Sequence, residues 1–382
     1  MASHKVVLIT AAALASAGSL VACSSSDDST SSEAAASQSA TEEETSSVEE
    51  EADPSSTDDA STDDASEAES SSSTVSVVST TTMLGSVVGD IVACASPNST
   101  AITLMPVGAD PHDFSPSSAE VADMVTSDLV VANGLMLEEG LEDALENAAS
   151  DGATVLEVAP LLDPIPFGGK HGDEDGDEDG HDDEHGDDHG DDHGDEEGGE
   201  DGHAHGSEDP HFWFDMNRMA TAAEIIGAEL AEDNGDVFAE CGSKIADEIR
   251  SAEQDVRKLL ESVPADQRIL VTDHDALGYL ADVYGYEIAG TVIPSGTTLA
   301  EPSSADLVEL VDVIEDEGVQ VIFANTADPT TLADAVAAEA GTDVQVVTLF
   351  VGSLGGPGSG AEDYVSMMLT NAELISGALN AT

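Results

Sequence analysis

Three histidines, His112, His211 and His274, sit in short loops crowded with acids, GADPHDF, EDPHFWFD and TDHDALGY. Neutral imidazoles are good ligands for zinc and its borderline neighbours. Asp113, Asp209, Asp215, Asp273 and Asp275 lie close by in the chain. Any of them could accept from the second ring nitrogen and so hold the tautomer that leaves the first nitrogen free to ligate. The chain has eleven histidines. His4 lies at the extreme N-terminus and seven crowd residues 171–205, so these three are all that remain elsewhere. A lone histidine in such a loop is most simply a hydrogen-bonded structural residue. Three of them, with none to spare, point to one shared ligation site.

The surrounding elements must bring the three loops together. From Thr74 onward, short β-branched runs alternate with amphipathic stretches, which predicts βα units and parallel sheets. In the first half, strands are expected at 75–79, 102–105, 129–132 and 154–156, with helices near 83–93, 117–126 and 138–149. In the second half, strands are expected at 269–272, 287–290, 319–323 and 344–347, with helices near 275–285, 303–317, 329–340 and 361–379. His112 and His274 then follow strands at their carboxyl ends, where open α/β sheets place ligands. A helix over 217–232 is broken by Asn234-Gly235. The next stretch carries Val237, Cys241, Ile245, Ile249, Val256 and Leu260 on one face. A helix over 236–262 would be about 40 Å long. The fold class is therefore α/β, with two lobes, each a mainly parallel sheet flanked by helices, joined by one long rigid helix. The lobes are expected at 74–235 and 263–382.

The segments outside the lobes read differently. Residues 1–22 have a short basic start and an apolar run too short to span a membrane comfortably, as in a signal peptide. Leu20-Val21-Ala22-Cys23 looks like a bacterial lipobox, which makes Cys23 a lipidation site. Residues 23–73 are Ser, Thr, Asp, Glu and Ala with almost no large apolar side chain, a composition expected to stay disordered as a charged tether. Apart from Lys170 and Ala204, residues 168–206 are Gly, Asp, Glu and His, with repeats such as HGDDHGDDHGDEEGG. Such a tract cannot pack, and its His181, His185, His189, His193, His203 and His205 are expected to bind metal weakly and many times over. A purely solvated acidic linker is the simpler alternative, but it leaves the regular imidazole spacing unexplained.

The charge balance excludes whole classes of function. There are 81 acids against 8 Lys and Arg. Neutralising phosphates needs cations in numbers this chain lacks, so nucleic acid is excluded as a partner. An anionic membrane surface is disfavoured for the same reason. The acidity fits either strongly screened, saline surroundings or an ordinary acidic protein, and in both cases the field attracts cations. Besides Cys23, the chain has Cys94 and Cys241, which outside the cytoplasm could form one disulfide or else remain as two buried thiols.

The motifs extend into a family resemblance. GADPHDFSPSSAEVADMVTSDLVVANGLMLEEGLEDAL, then DPHFWFD, RILVTDHDALGYLADVYGYEIAG and SLGGPGSGAEDYVSMMLTNAELI, resemble cluster A-I metal-binding proteins, the zinc and manganese receptors of ABC importers. The resemblance covers roughly 75–382. It implies imidazole ligands at His112, His211 and His274, and the His-rich insertion resembles zinc-type members. It further implies an extracytoplasmic lipoprotein at the outer face of the cell membrane, working as a monomer. Zn2+ would be cargo, handed to a membrane permease and its ATPase. Two positions depart from the family pattern: Gly352 stands where many members carry a ligating Asp, and Asn325 stands where they often carry a Glu. Some relatives instead take a Glu just before the first His, where this chain has Pro111. Water, Asp328 or a histidine from 168–206 could supply the fourth ligand instead.

Three histidines with an open position also describe a catalytic zinc site. No Glu base stands at helical spacing beside them, and no Ser or Cys nucleophile sits in a recognisable turn. The chain therefore reads as a binding protein and not an enzyme. A manganese or iron receptor, and a metal-buffering surface adhesin, are the rival readings.

Overall fold

Each short apolar run becomes a strand of a parallel sheet in the computed structural model, and each amphipathic stretch a helix on its face. The structure describes residues 74–167, 207–341 and 344–381, all inside the unit Ala68–Thr382. The expected leader 1–22, Cys23, the tether to residue 73 and the segment 168–206 with its histidines lie outside the described residues. Among the described residues no helix is long and apolar enough to cross a membrane.

The first sheet is built from β1 (Ser76–Ser79), β2 (Thr100–Thr103), β3 (Leu129–Ala132) and β4 (Val155–Glu157), in the order β2-β1-β3-β4. Helices α1 (Thr82–Ala95), α2 (Ser118–Thr126) and α3 (Glu142–Ser150) connect them. The second sheet repeats the scheme with β5 (Ile269–Thr272), β6 (Glu287–Thr291), β7 (Val321–Asn325) and β8 (Gln345–Leu349), in the order β6-β5-β7-β8. Its helices are α6 (Gly278–Tyr284), α7 (Ser304–Glu317), α8 (Thr331–Ala340) and α9 (Tyr364–Leu379). Within the two sheets the strands pair in parallel. The central strands β3 and β7 are buried along their whole length, as parallel strands covered on both faces must be.

Between the sheets run α4 (Met216–Asn234) and α5 (Val237–Leu260). At 24 residues α5 is about 36 Å long. It lies along α4 and also meets α1 and α9, one helix from each lobe. One apolar core therefore runs from Val77 and Ile91 through Ala246 and Ile249 to Leu280 and Met368. Cys94 of α1 and Cys241 of α5 are joined as a disulfide with a Cα–Cα distance of 5.9 Å.

Local chemistry accounts for the helix starts. Ser117 and Glu120 form a capping box on α2, and Ser303 and Asp306 form one on α7. Three expected starts are displaced; that of the helix expected from 361 moves to Tyr364, after the Asp363 cap. The helix expected at 138–149 opens with a 3-10 turn, Glu139–Leu141, and becomes α-helical only at Glu142. The reason is that the buried Glu138 carboxylate is engaged by the Thr80 hydroxyl and by the backbone N–H groups of Asn133 and Gly134. The helix expected from 275 starts at Gly278, because residues 273–277 form the turn that carries His274.

Candidate metal centre

His112 lies in the turn after β2. Asp110 shapes that turn by accepting the His112 N–H at 3.1 Å. The other Asp110 oxygen accepts the Thr298 hydroxyl, from the loop that follows β6. Nearby, the Gly108 N–H donates to Ser353 Oγ at 2.8 Å, a second link from the first lobe to the second.

His211 precedes a 3-10 turn, Phe212–Phe214, whose three aromatic side chains are buried. Trp213 Nε1 donates to the Val351 carbonyl at 3.1 Å, and the Tyr364 hydroxyl donates to the Trp213 carbonyl at 2.6 Å. This aromatic plug fixes the backbone on which His211 stands. Asp209 Oδ1 accepts the His211 N–H at 2.8 Å and lies 2.7 Å from its Nδ1. Phe167, the last described residue before 168, sets its ring edge towards His211 with centroids 6.5 Å apart.

His274 directly follows β5 and Asp273. Asp273 Oδ1 accepts the His274 N–H at 2.9 Å and lies 3.1 Å from its Nδ1, while Oδ2 accepts the Asn325 N–H at 2.7 Å. Two of the imidazoles are thus held through Nδ1 by carboxylates, which leaves Nε2 as the inward nitrogen.

The three rings meet in one place. Their centroids are 5.4–5.7 Å apart, and the Nε2 atoms of His112 and His211 stand 3.4 Å apart. One ring nitrogen from each lies within 4.8 Å of the others. All three side chains are buried, at 3%, 1% and 1% exposure. Such a cluster of imidazole nitrogens, withdrawn from water, is a ready-made cradle for a cation.

The electrostatics differ around the ring. Burial, followed by the charge of His274, pulls the His211 pKa well below its ordinary value, against the opposing charge of Asp273. Burial also works against a proton on His274, but the hydrogen bond to Asp273 and the charges of Asp273, Asp110 and Asp328 outweigh it and raise the pKa. Asp209 is pushed up to about 7 by burial, against the hydrogen bond from the His211 N–H and the charge of His274. Asp328 is pushed up to about 6, by burial and then by the charge of Asp110.

No carboxylate oxygen joins the three imidazoles among the described residues. Gly352 is buried against Pro111, and a Cβ there would stand 2.8 Å from Pro111 Cδ. Gly352 and Pro111, which stand where relatives carry a carboxylate, therefore touch each other and close that corner. Asn325 is engaged as well, with Nδ2 donating to Asp328 Oδ2 at 2.7 Å and Oδ1 accepting the Ala327 N–H at 3.1 Å. A cavity of about 160 Å³ lies beside this group, lined on its polar side by Asp273, Thr298, Asn325 and Asp328.

Of the five acids near the histidines in sequence, Asp209 and Asp273 reach the rings. Asp113 is exposed, and Asp215 caps α4 by accepting the Asn217 and Arg218 N–H groups. The Asp275 N–H donates to the Ser295 carbonyl. Sequence reasoning missed Asp110. A signal for it existed in the repeated tripeptide Asp-Pro-His at 110–112 and 209–211.

Comparison with known proteins places this geometry. The sequence pattern of the family described as "ZnuA: Zinc-uptake complex component A periplasmic" matches residues 77–378. The chain belongs to that family. Its members are solute-binding receptors for metal transport and not enzymes, and this ZnuA-family chain is a metal-binding substrate-binding protein of an ABC transporter. It is similar to the manganese-binding lipoprotein MntA of Halalkalibacterium halodurans, with 22% identity over 77% of this chain and 86% of that protein. It is also similar to the zinc-binding protein TroA of Treponema pallidum, with 26% identity over 78% of this chain and 87% of that protein. Among solved structures, the periplasmic zinc-binding protein TroA of Treponema pallidum matches with a TM-score of 0.63 and 23% identity, covering 80% of this chain and 99% of TroA. A manganese-bound periplasmic protein of Candidatus Liberibacter asiaticus matches with a TM-score of 0.61 and 20% identity, over 80% and 99% of the two chains. These structural likenesses establish the two-sheet fold.

Proposed function

We propose that this ZnuA-family protein is a zinc receptor, which captures Zn2+ with His112, His211 and His274 between the lobes and hands it to a membrane permease worked by an ATPase. The observation that carries the choice of metal is the all-nitrogen cluster, three buried imidazoles that no carboxylate oxygen joins among the described residues. Imidazole suits zinc, whereas manganese favours carboxylate and water oxygens. A water molecule completing the tetrahedron would suit a cargo that must also leave. Relatives are named for both metals, so the ligand chemistry is what separates the two readings here.

The segments outside the described residues complete the proposal. A lipid on Cys23 and the acidic tether to residue 73 would hold a monomeric receptor beside the permease at high local concentration. Residues 168–206, with His181, His185, His189, His193, His203 and His205, would collect zinc weakly near the site.

Competition titration of the leaderless protein with zinc and manganese tests this reading. Zinc should bind far more tightly than manganese, and His112→Ala should abolish the tight phase. Deleting 168–206 should remove weak sites and leave the tight one. Equal affinity for the two metals, or a tight phase that survives His112→Ala, would overturn the assignment.

A further inference from the structure

Beside the triad runs a short antiparallel ladder with one bond replaced. Residues 165–167 pair with 207–209 around the bridge Pro166–Glu208. The Phe167 N–H donates to the Ser207 carbonyl at 3.3 Å, and the Asp209 N–H to the Ile165 carbonyl at 2.7 Å. In such a ladder Ile165 and Asp209 should exchange two bonds, one in each direction. The return bond is relayed instead. The Ile165 N–H donates to the Tyr279 hydroxyl at 3.2 Å, and that hydroxyl donates to the Asp209 carbonyl at 3.0 Å.

A hydroxyl between a donor and an acceptor holds them about 2 Å further apart than a direct bond would. The strand that is held open carries Asp209, which grips His211 through both its N–H and its Nδ1. The wedge itself comes from the second lobe, since Tyr279 lies in the first turn of α6, five residues after His274. Its neighbour Gly278 also touches Asp209, because a Cβ there would stand 2.7 Å from Asp209 Oδ2. The ring is fully buried, with the Arg218 guanidinium 5.0 Å from its centroid. Burial also pushes the phenol up to about 12, which keeps the hydroxyl a donor at any physiological pH.

We propose that Tyr279 is a positioning residue whose hydroxyl, wedged into the 165–167/207–209 ladder, sets where Asp209 holds His211 relative to His274. Without the oxygen, the Ile165 N–H and the Asp209 carbonyl either close on each other or lose their partners. Either way the His211 imidazole moves with respect to the other two. Tyr279 thus carries the spacing between two ligands from different lobes, although it touches neither ring. The role rests on the three-imidazole zinc reading above.

Tyr279→Phe in the leaderless protein, with Co2+ as a spectroscopic stand-in for zinc, tests the wedge. Zinc affinity should fall roughly 10- to 100-fold, as for other groups that orient a ligand. The visible absorption of bound Co2+ should change in intensity and position, because it reports the angles between ligands. Unchanged zinc affinity and an unchanged Co2+ spectrum would overturn the proposal, even if the variant melted lower. If Tyr279→Phe does not fold, Tyr279→His decides, since its shorter polar ring cannot keep the hydroxyl's place between the Ile165 N–H and the Asp209 carbonyl. A shifted Co2+ spectrum in Tyr279→His supports the wedge and an unshifted one removes it. If the parent protein binds no zinc, or binds it equally well after His112→Ala, the zinc reading falls and the wedge falls with it.

Discussion

The tripeptide Asp-Pro-His occurs twice, at Asp110–His112 and at Asp209–His211, and the two copies begin alike. In both, the aspartate accepts the N–H of the histidine two residues on, at 3.1 and 2.8 Å. They then diverge. Asp209 also takes the Nδ1 of its own histidine, whereas Asp110 turns its second oxygen to Thr298 across the cleft. Pro210 offers its carbonyl to Asn133 Nδ2 at 3.0 Å, while Pro111 packs on Gly352. The same three residues make an imidazole support in one copy and a latch between lobes in the other. A local motif fixes a turn, and its surroundings decide which job the spare oxygen does.

The largest effect expected is shared by both copies. His112→Ala and His211→Ala should each weaken zinc binding by roughly a hundredfold or more, beyond the 10–100-fold typical of an outer partner. If one substitution proved mild in competition titrations, the two copies would not be equivalent as ligand bearers.

The aspartates should separate them. Asp209→Asn keeps a turn acceptor but loses the charge facing Nδ1, and should cost roughly 10- to 100-fold in zinc affinity. Asp110→Asn should cost only a few-fold, through the Thr298 link, an effect of the size of about one net hydrogen bond. Thr298→Val should reproduce that loss and add little to it in the double variant. Equal losses from the two aspartates would break the contrast.

The pH dependence should sharpen it. Ligands must be deprotonated to bind metal, so protons compete. The His274 pKa is raised, and Asp209 is protonated below about pH 7. Zinc affinity should therefore fall as the pH drops through 7, by about tenfold per unit for each proton displaced. In Asp209→Asn the slope should become shallower, and in Asp110→Asn it should not. An affinity flat from pH 8 to 6 would contradict both shifts.

The smallest effect on the site should come from the disulfide. Cys94 and Cys241 close a separation of 147 residues, and removing the bond should cost about 5 kcal/mol of stability on the chain-entropy view. Cys94→Ser with Cys241→Ser should lower the melting temperature and leave the ratio of Asp209→Asn to Asp110→Asn effects unchanged.

Much of the fold was legible because its signals are short-range. The β-branched runs at 129–132 and 269–272 coincide with β3 and β5. The helices expected at 117–126 and 303–317 begin within a residue of those starts, capped by Ser117 and Ser303. The expected strand at 102–105 appears at 100–103, and the apolar Leu104 and Met105 that suggested it are buried just beyond its end. At the site, the three histidines stood out in the sequence because so few others remain. Asp110 did not, since its partner Thr298 lies 188 residues away. Nor did the Tyr279 wedge, which joins Ile165 and Asp209 over separations of 114 and 70 residues.

By itself, then, the sequence determined the βα alternation, the capped helices, the two Asp-Pro-His turns and the scarcity that singles out His112, His211 and His274. Each of these rests on steric preferences and hydrogen bonds closed within a few residues, which neighbouring side chains dictate wherever the segment lies. Only the tertiary structure decided which aspartate supports an imidazole, which one bridges the lobes, and that Pro111 and Gly352 shut the corner where a carboxylate would enter. Those outcomes depend on distances of a few ångströms between segments far apart in the chain, and such distances exist only once the common core has packed both lobes against α4 and α5.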